Sequence, residues 1–501
     1  MSNLMGLDVG STGVKAVVFA EDGNILGSAY REYAEVFPQS GWIELRPDEV
    51  WEATRAVIAE AAGRAGGGVR SLVISALGEA FTPVGEDGSF LHNTIVSPDA
   101  RAVAQAESWR DTLGAERVFE ITGMPLHASF TLNKIMWLAQ ERPEVHRATW
   151  KYLLWPDAIC LRLGLPPRID HSLAGRTMAF DVVRRQWSEE MLDAAGVSAE
   201  LFAEPIASGE VVGELSAGAA AEVGVEPGCL VVAGGHDQPM NALGAGIVRE
   251  GLAVDGMGTV ECITVAFDQP VLTPAMLAHN YCCYPHVVGH MYATIAFNYS
   301  SGSVLRWFRD QMGFEERRQA EISDRDVYEV ILEGLPEGPS GLLWIPYFAG
   351  SGTPHLDPLA KGAILGLSLD VDRKRLVKAL IEGTCYELNL NITSLEQAGV
   401  SVDRLRATGG GSRSDVWLQV KADITGKEVV TLNVSEAGCL AGAMLGGVAL
   451  GVWGDLAEAS AALVREDRSF QPRAAEHERY RPLQATYEQA WPALADLMHR
   501  L

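Results

Sequence analysis

One element occurs twice in this chain, half a chain apart, and it constrains the fold more than any other feature. Leu7-Asp8-Val9-Gly10-Ser11-Thr12-Gly13 runs into Val14–Phe19, and Val254-Asp255-Gly256-Met257-Gly258-Thr259-Val260-Glu261 runs into Cys262–Phe267. Each copy reads as strand, Gly/Ser/Thr turn, strand, with an Asp entering the turn. Such an echo points to a duplicated fold in which two similar lobes each present one loop to a shared cleft.

The residues around the first copy fill in that lobe. Leu4–Asp8, Val14–Ala20 and Ile25–Tyr33 are expected to form three antiparallel strands, the last two joined by the turn Glu21-Asp22-Gly23-Asn24. Pro47-Asp48 opens a helix with Val50, Trp51, Thr54, Val57, Ile58 and Ala61 on one face, closed by Gly66-Gly67-Gly68. Val69–Ser75 then reads as a fully buried strand. The fold class is α/β: two lobes, each a mixed sheet flanked by helices, with a cleft between them. A length of 501 residues accommodates two or three cores. The expected division is an N-terminal lobe over 1–245, a C-terminal lobe over 246–455, and a helical segment over 456–501 packing on one of them. Gly244–Gly246 and Gly251 are the candidate hinge.

Charge and cysteine content narrow the function. The chain carries 40 Lys+Arg against 65 Asp+Glu, a formal charge of −25, which argues against a reader of nucleic-acid backbones. Seven Cys with no C-x-x-C spacing read as reduced thiols rather than a disulfide framework. No signal peptide is visible at MSNLMGLDVG. Ala437–Gly454 lacks charge, but its six Gly mark a tightly packed buried helix rather than a membrane span. A soluble cytoplasmic protein is expected, with neither nucleic acid nor membrane as partner.

Glycine-rich turns bring backbone N–H groups close to a ligand and hold phosphate oxygens well. In the first turn Ser11 and Thr12 add hydroxyls, Lys15 can add a charge, and Asp8 at the strand end can hold Mg²⁺ through waters. A third turn, Gly409-Gly410-Gly411-Ser412, precedes a helix from Asp415 to Ile424, the arrangement of a phosphate or nucleotide site. No G-x-G-x-x-G follows any strand, which disfavours a dinucleotide-dependent oxidoreductase. Leu230–Ala233 runs into Gly234-Gly235-His236-Asp237-Gln238, where Asp237 suits a general base and a helix N-cap equally. His236 reads as a packing or hydrogen-bonding residue. Gly78-Glu79, Asp99 and His127 lie in polar segments that can line a substrate pocket, and each fits an ordinary loop as well.

Taken together these segments resemble the FGGY carbohydrate kinase family, within the actin-like ATPase superfold, over nearly the whole chain. Ser129-Phe130-Thr131-Leu132-Asn133-Lys134-Ile135-Met136-Trp137-Leu138-Ala139-Gln140-Glu141 resembles the family's first signature. Gly362–Leu367 through Ala379-Leu380-Ile381-Glu382 resembles the second, departing from it at Arg375. Gly41-Trp42-Ile43-Glu44 and Arg176-Thr177-Met178-Ala179-Phe180-Asp181 are similar to further family segments. The resemblance implies an ATP- and Mg²⁺-dependent sugar kinase, with a homodimer as the expected assembly.

Asp237 then matches the catalytic base. Asp8, Gly10, Ser11, Thr12 and Lys15 match the first phosphate loop with its Mg²⁺-associated Asp, and Asp237 is a second candidate for the metal. Gly258 and Thr259 match the second phosphate loop, and Gly409, Gly410, Gly411 and Ser412 match the adenosine turn. Gly78, Glu79, Asp99, His127 and Gln238 are the candidate sugar contacts. A pentulose such as xylulose is the first choice of substrate. Glycerol, erythritol, ribulose and gluconate are the alternatives, as is a nucleotide-binding ATPase scaffold without a sugar. Gly78 stands where glycerol-using members usually carry Arg, and the run Leu77-Gly78-Glu79-Ala80 lacks the Met-His of xylulose users.

Overall fold

A computed structural model describes residues 2–501. The first lobe is built on a six-stranded sheet containing β1 (Asn3–Val9), β2 (Gly13–Phe19) and β3 (Ile25–Glu32), followed by α1 (Pro47–Arg64) and β4 (Val69–Ala76). β5 (Val211–Glu214) and β6 (Leu230–His236) complete the sheet, and α2 (Asp237–Gly244) leaves its last strand. The strand order is β5-β6-β4-β1-β2-β3, with β1–β2 and β2–β3 antiparallel and β1–β4–β6 parallel.

The second lobe repeats this pattern. Its strands are β7 (Gly251–Met257), β8 (Glu261–Phe267) and β9 (Tyr292–Asn298), then α3 (Arg373–Ala398), β10 (Val402–Thr408), α4 (Asp415–Thr425), β11 (Glu428–Leu432) and α5 (Ala437–Ala449). β12 (Glu466–Phe470) closes the edge beside β11, and α6 (Ala474–Glu488) packs on α4. β7–β8 and β8–β9 are antiparallel and β7–β10–β11 parallel, matching β1–β2–β3 and β1–β4–β6 strand for strand. The duplication read from the two Asp-containing turns therefore extends through both sheets.

Residues 456–501 carry the expected helices, at Leu456–Leu463, Ala474–Glu488 and Ala490–Met498, with an unexpected strand between the first two. The polar stretch Glu466–Phe470 is a strand that pairs antiparallel with β11, so this part of the chain completes the second sheet. The charges did not prevent a strand because this is a sheet edge, with one side open to water. All seven cysteines are free. Among the described residues no helix is long and apolar enough to cross a membrane.

The uncharged stretch at Ala437 is α5, buried between the two lobes. It belongs by sequence to the second lobe but lies on the first sheet, against β1 and β4, while α2 packs against α5 and reaches β7 and β8. Val17, Val73, Leu243, Val254, Ala266 and Met444 share one apolar cluster that draws on both sheets and both helices. Glycine permits the approach: a Cβ on Gly6 would fall within the carbonyl of Cys439, and one on Gly442 would lie 2.9 Å from the Gly6 Cα. At the expected hinge, Arg406 on β10 donates to the carbonyls of Ala245 (2.8 Å) and Gly246 (2.9 Å), tying the linker to the second sheet. Lys15 on β2 donates to both carboxylate oxygens of Glu436 (3.1 and 2.9 Å), at the start of α5.

Two glycine substitutions should move stability in opposite directions. Gly6→Ala overpacks a backbone contact and should cost about 1–3 kcal/mol. Gly63→Ala, in the last turn of α1 with open space around the new methyl, should add about 0.4–1 kcal/mol. Urea unfolding midpoints at constant slope would check both.

Candidate active site

The cleft site begins at the ends of the parallel strands, where both lobes turn their loops toward one another. Asp8 is the penultimate residue of β1, and Ser75 on β4 donates to its Oδ1 at 2.7 Å. Burial raises the Asp8 carboxyl, with Ser75 and the Lys15 ammonium opposing. The turn beyond it is held by Tyr33, whose hydroxyl donates to the carbonyls of Gly10 (2.5 Å) and Gly13 (3.1 Å). Thr12 stands exposed at the tip. Lys15 is engaged by Glu436, so its charge is shared across the lobes rather than held free over the turn.

On the facing lobe, Gly258 and Thr259 are exposed at the tip of the β7–β8 hairpin. Their carbonyls accept from the N–H groups of Gly302 (3.0 Å), Ser301 (3.2 Å) and Ser303 (3.1 Å), which fixes the tip to the next helix. The Gly409–Ser412 turn leaves β10 with Gly409 at φ +82° and passes through a 3₁₀ turn into α4, where Ser414 caps Trp417 N–H at 3.2 Å. Gly409 and Gly411 pack against Met257 so closely that a Cβ would meet it at 2.8 and 2.9 Å. The second and third turns thus form one continuous surface.

Asp237 is the first residue of α2, directly after β6. The N-cap position belongs to His236, so the capping role considered for Asp237 falls one residue earlier. Asp237 keeps 28% of its side chain exposed, while its Oδ1 is covered and makes no well-aligned hydrogen bond. Burial, then the charges of Asp8 and Glu79, raise its carboxyl to about 7. His236 is a support that its sequence context left undefined. Its N–H donates to Ser172 Oγ (2.9 Å), its Nδ1 pairs with Tyr284 Oη (3.0 Å), and its Nε2 lies 3.1 Å from Asp237 Oδ1. Burial and the nearby Arg176 push the imidazole down to about 3, so it is neutral.

Glu79 follows β4 in the left-handed region at φ +60°, unusual for a residue with a Cβ. Its backbone carbonyl accepts from Thr131 Oγ1 (3.1 Å) and Lys134 Nζ (3.4 Å), which secures the turn. Arg176, from the segment after a short helix at His171–Gly175, donates to Glu79 Oε1 through Nε at 2.5 Å. Burial alone would raise the Glu79 carboxyl, but the Arg176 guanidinium together with His236, Lys134 and a Ser97 hydrogen bond holds it below the usual range. No sequence signal paired Arg176 with Glu79, since 97 positions separate them.

Two candidate sugar contacts lie differently from Glu79. Asp99 has both oxygens occupied, accepting from Arg101 Nε (2.8 Å) and Nη2 (2.8 Å) and from Ile43 N–H (2.6 Å). Its side chain has no exposed surface, so it offers the cleft no acceptor and instead supports the Gly41–Glu44 segment with Arg101 and Glu44. His127 is exposed, with Nδ1 2.9 Å from Ser129 Oγ. Gly78 is buried beside Glu79, and Gln238 is half-buried next to Asp237.

No cluster of three or more His, Cys, Asp or Glu able to hold a metal occurs among the described residues. Asp8 and Asp237 lie close enough for the first to raise the second, and Asp237 keeps an unpartnered oxygen. Two carboxylates fit Mg²⁺, which retains most of its waters.

Xylulose kinase from Bacillus subtilis (strain 168) is 26% identical over 99% of this chain and 98% of its own. Gluconokinase from Bacillus licheniformis is 29% identical over 90% of this chain and 88% of its own. The crystal structure of ligand-bound xylulose kinase from Lactobacillus acidophilus superposes with a TM-score of 0.90 at 24% identity, covering 99% of both chains. The two lobes therefore have the actin-like ATPase fold. Residues 3–244 match the N-terminal domain of the FGGY family of carbohydrate kinases and residues 256–450 match its C-terminal domain, and the chain belongs to that family of ATP-dependent sugar and polyol kinases.

Proposed function

We propose that this chain transfers the terminal phosphoryl group of ATP to a hydroxyl of a small polyhydroxylated substrate, a pentulose such as xylulose being the first choice, with Asp237 as general base. The observation that carries this reading is Asp237 at the start of α2, its covered Oδ1 making no well-aligned hydrogen bond and its carboxyl close enough to Asp8 at the end of β1 to be raised by that charge. The near full-length similarity to a xylulose kinase supports the pentulose, and the similarity to a gluconokinase keeps a sugar acid as the rival.

Phosphoryl transfer leaves the protein little covalent work, so position and charge decide the rate. The substrate hydroxyl hydrogen-bonds to Asp237. As its oxygen bonds to the γ-phosphorus, the proton passes to the carboxylate and the bond from phosphorus to the β–γ bridging oxygen breaks, leaving ADP. Neutral His236, fixed by Ser172 and Tyr284, limits where the carboxylate can swing. On this reading the turns at Thr12, Gly258–Thr259 and Gly409–Gly411 receive the phosphates and adenosine, which the exposure of Thr12, Gly258, Thr259, Gly409 and Gly410 supports. Mg²⁺ near Asp8 and Asp237 would supply charge neutralisation to the phosphates.

Asp237→Asn should lower kcat by about 10²–10⁴-fold while ATP still binds, measured as sugar-dependent ADP release alongside nucleotide affinity. Sugar-dependent turnover surviving in that variant would remove Asp237 as the base. The carboxyl must be ionised to accept the proton, and its value is raised. In the native chain kcat/KM should therefore fall about tenfold per pH unit below about 7. A rate profile over pH 5 to 9 at saturating Mg-ATP would show an acid limb, displaced downward as Mg²⁺ rises.

A further inference from the structure

The second sheet buries charge where the first buries apolar side chains. Both lobes share one irregularity in their first parallel pairing, Asn3–Leu4 against Val69–Ser71 and Gly251–Leu252 against Val402–Arg404. That common register puts Asp255 in the place of Leu7, and Gly256 in the place of Asp8. The two aspartates therefore point to opposite faces of their sheets. Leu7 shares an apolar core with Met5 and Val9. Asp255 stands on the corresponding face between Ala253 and Met257, which do belong to a core, and Glu261 pairs with Met257 across the hairpin. Lys421, in the second turn of α4, donates to both Asp255 Oδ2 and Glu261 Oε1. All three side chains are at most 2% exposed. Asp255 Oδ1 and Glu261 Oε2 are covered and have no partner.

One ammonium against two carboxyls at this depth is a poor device for stability, because lost hydration offsets much of the attraction. Its effect is geometric. Asp255 lies on β7 and Glu261 on β8, on either side of the tip at Gly258–Thr259, while Lys421 belongs to the helix into which the Gly409–Ser412 turn leads. A single side chain thus grips both strands under one turn and the helix behind the other. Met257, between the two acids in sequence, is the residue on which Gly409 and Gly411 close. We propose that Lys421, Asp255 and Glu261 are positioning residues, which fix the separation of the Gly258–Thr259 and Gly409–Ser412 turns, and through it ATP affinity, without touching ATP. This rests on the reading of those turns as phosphate and adenosine sites.

The test measures the Kd of Mg-ADP by calorimetry, which needs no sugar, together with the KM for xylulose. Asp255→Leu/Glu261→Met/Lys421→Met removes the acids with the ammonium and leaves no unpaired buried charge, so the fold is retained. It should raise the Kd at least ~10-fold with the xylulose KM within about twofold of native, since small misplacements far from a ligand are felt strongly at it. Glu261→Met keeps Asp255 and Lys421 as a neutral pair and should raise the Kd at least ~3-fold, one of the two strand anchors being lost. An unchanged Kd in either variant overturns the proposal, as does an equal weakening of nucleotide and xylulose, the mark of a purely structural role. Glu261→Met alone therefore decides the matter if the triple variant does not fold. Gly410→Phe separates this from the underlying reading, because it fills the third turn where a Cβ meets nothing within 4 Å. If Gly410→Phe weakens Mg-ADP while the triad variants do not, only the positioning role is overturned. If Gly410→Phe leaves the Kd at the native value, the nucleotide assignment of the turn falls and the proposal falls with it.

Discussion

The close crossing of α2 and α5 between the two sheets determines the rest of this structure. Each helix follows the last parallel strand of its own lobe, and α5 is laid on the other lobe's sheet, where Gly6 and Gly442 let backbones meet. A shared apolar cluster holds them, so the distance between the sheets is set by packing density rather than by a linker. Asp237 opens α2 and Glu436 precedes α5, which places both the proposed base and the partner of Lys15 at the same junction. Chemistry at the cleft depends on that spacing because phosphoryl transfer tolerates little misplacement between acceptor and donor.

Burial accounts for the electrostatics of the site. Asp237 and His236 are adjacent residues in one low-dielectric environment, and it drives their protonation in opposite directions: the carboxyl up, the imidazole down. A neutral histidine beside the base cannot neutralise it, which keeps the carboxylate reactive once ionised. Glu79 is more deeply buried than Asp237, 4% against 28% of the side chain exposed, yet Arg176 and its other polar neighbours hold it charged. The two carboxylates are thereby pushed in opposite directions by what touches them, which suits Glu79 to stay an anion and, on the proposed mechanism, Asp237 to accept a proton.

Much of this was legible in the sequence where the signal is local. β1 to β4 and α1 appear within a residue or two of their expected limits, because alternation, turn residues and a proline at the helix start act over short spans. The two Asp-containing turns exposed the duplication. β12 was missed because Glu466-Asp467-Arg468-Ser469-Phe470 offers a single apolar residue, and only its pairing with β11 makes it a strand. Asp99 looked like a pocket acid until the fold brought Arg101 and the Ile43 amide onto its oxygens. The Arg176–Glu79 pair was hidden for the same reason, since nothing short of tertiary structure brings those two segments together. Local patterns located the segments of the proposed base and phosphate turns, whereas the Arg176–Glu79 contact joins residues 97 positions apart.

The placement of α5 also bears on the order in which the protein can be made. By His236 every strand of the first sheet has been synthesised, but the face carrying Gly6 and Val73 stays bare until Ala437–Ala449 emerges much later. The second sheet waits longer still, since β11 keeps an open edge until Glu466–Phe470 arrives. A growing chain therefore carries the uncovered face of the first sheet from His236 until Ala437 follows, and the open edge of β11 from Leu432 until Glu466, the kind of exposure that invites association between nascent chains. The first lobe is completed by a helix that belongs in sequence to the second, and the second sheet only by its last strand.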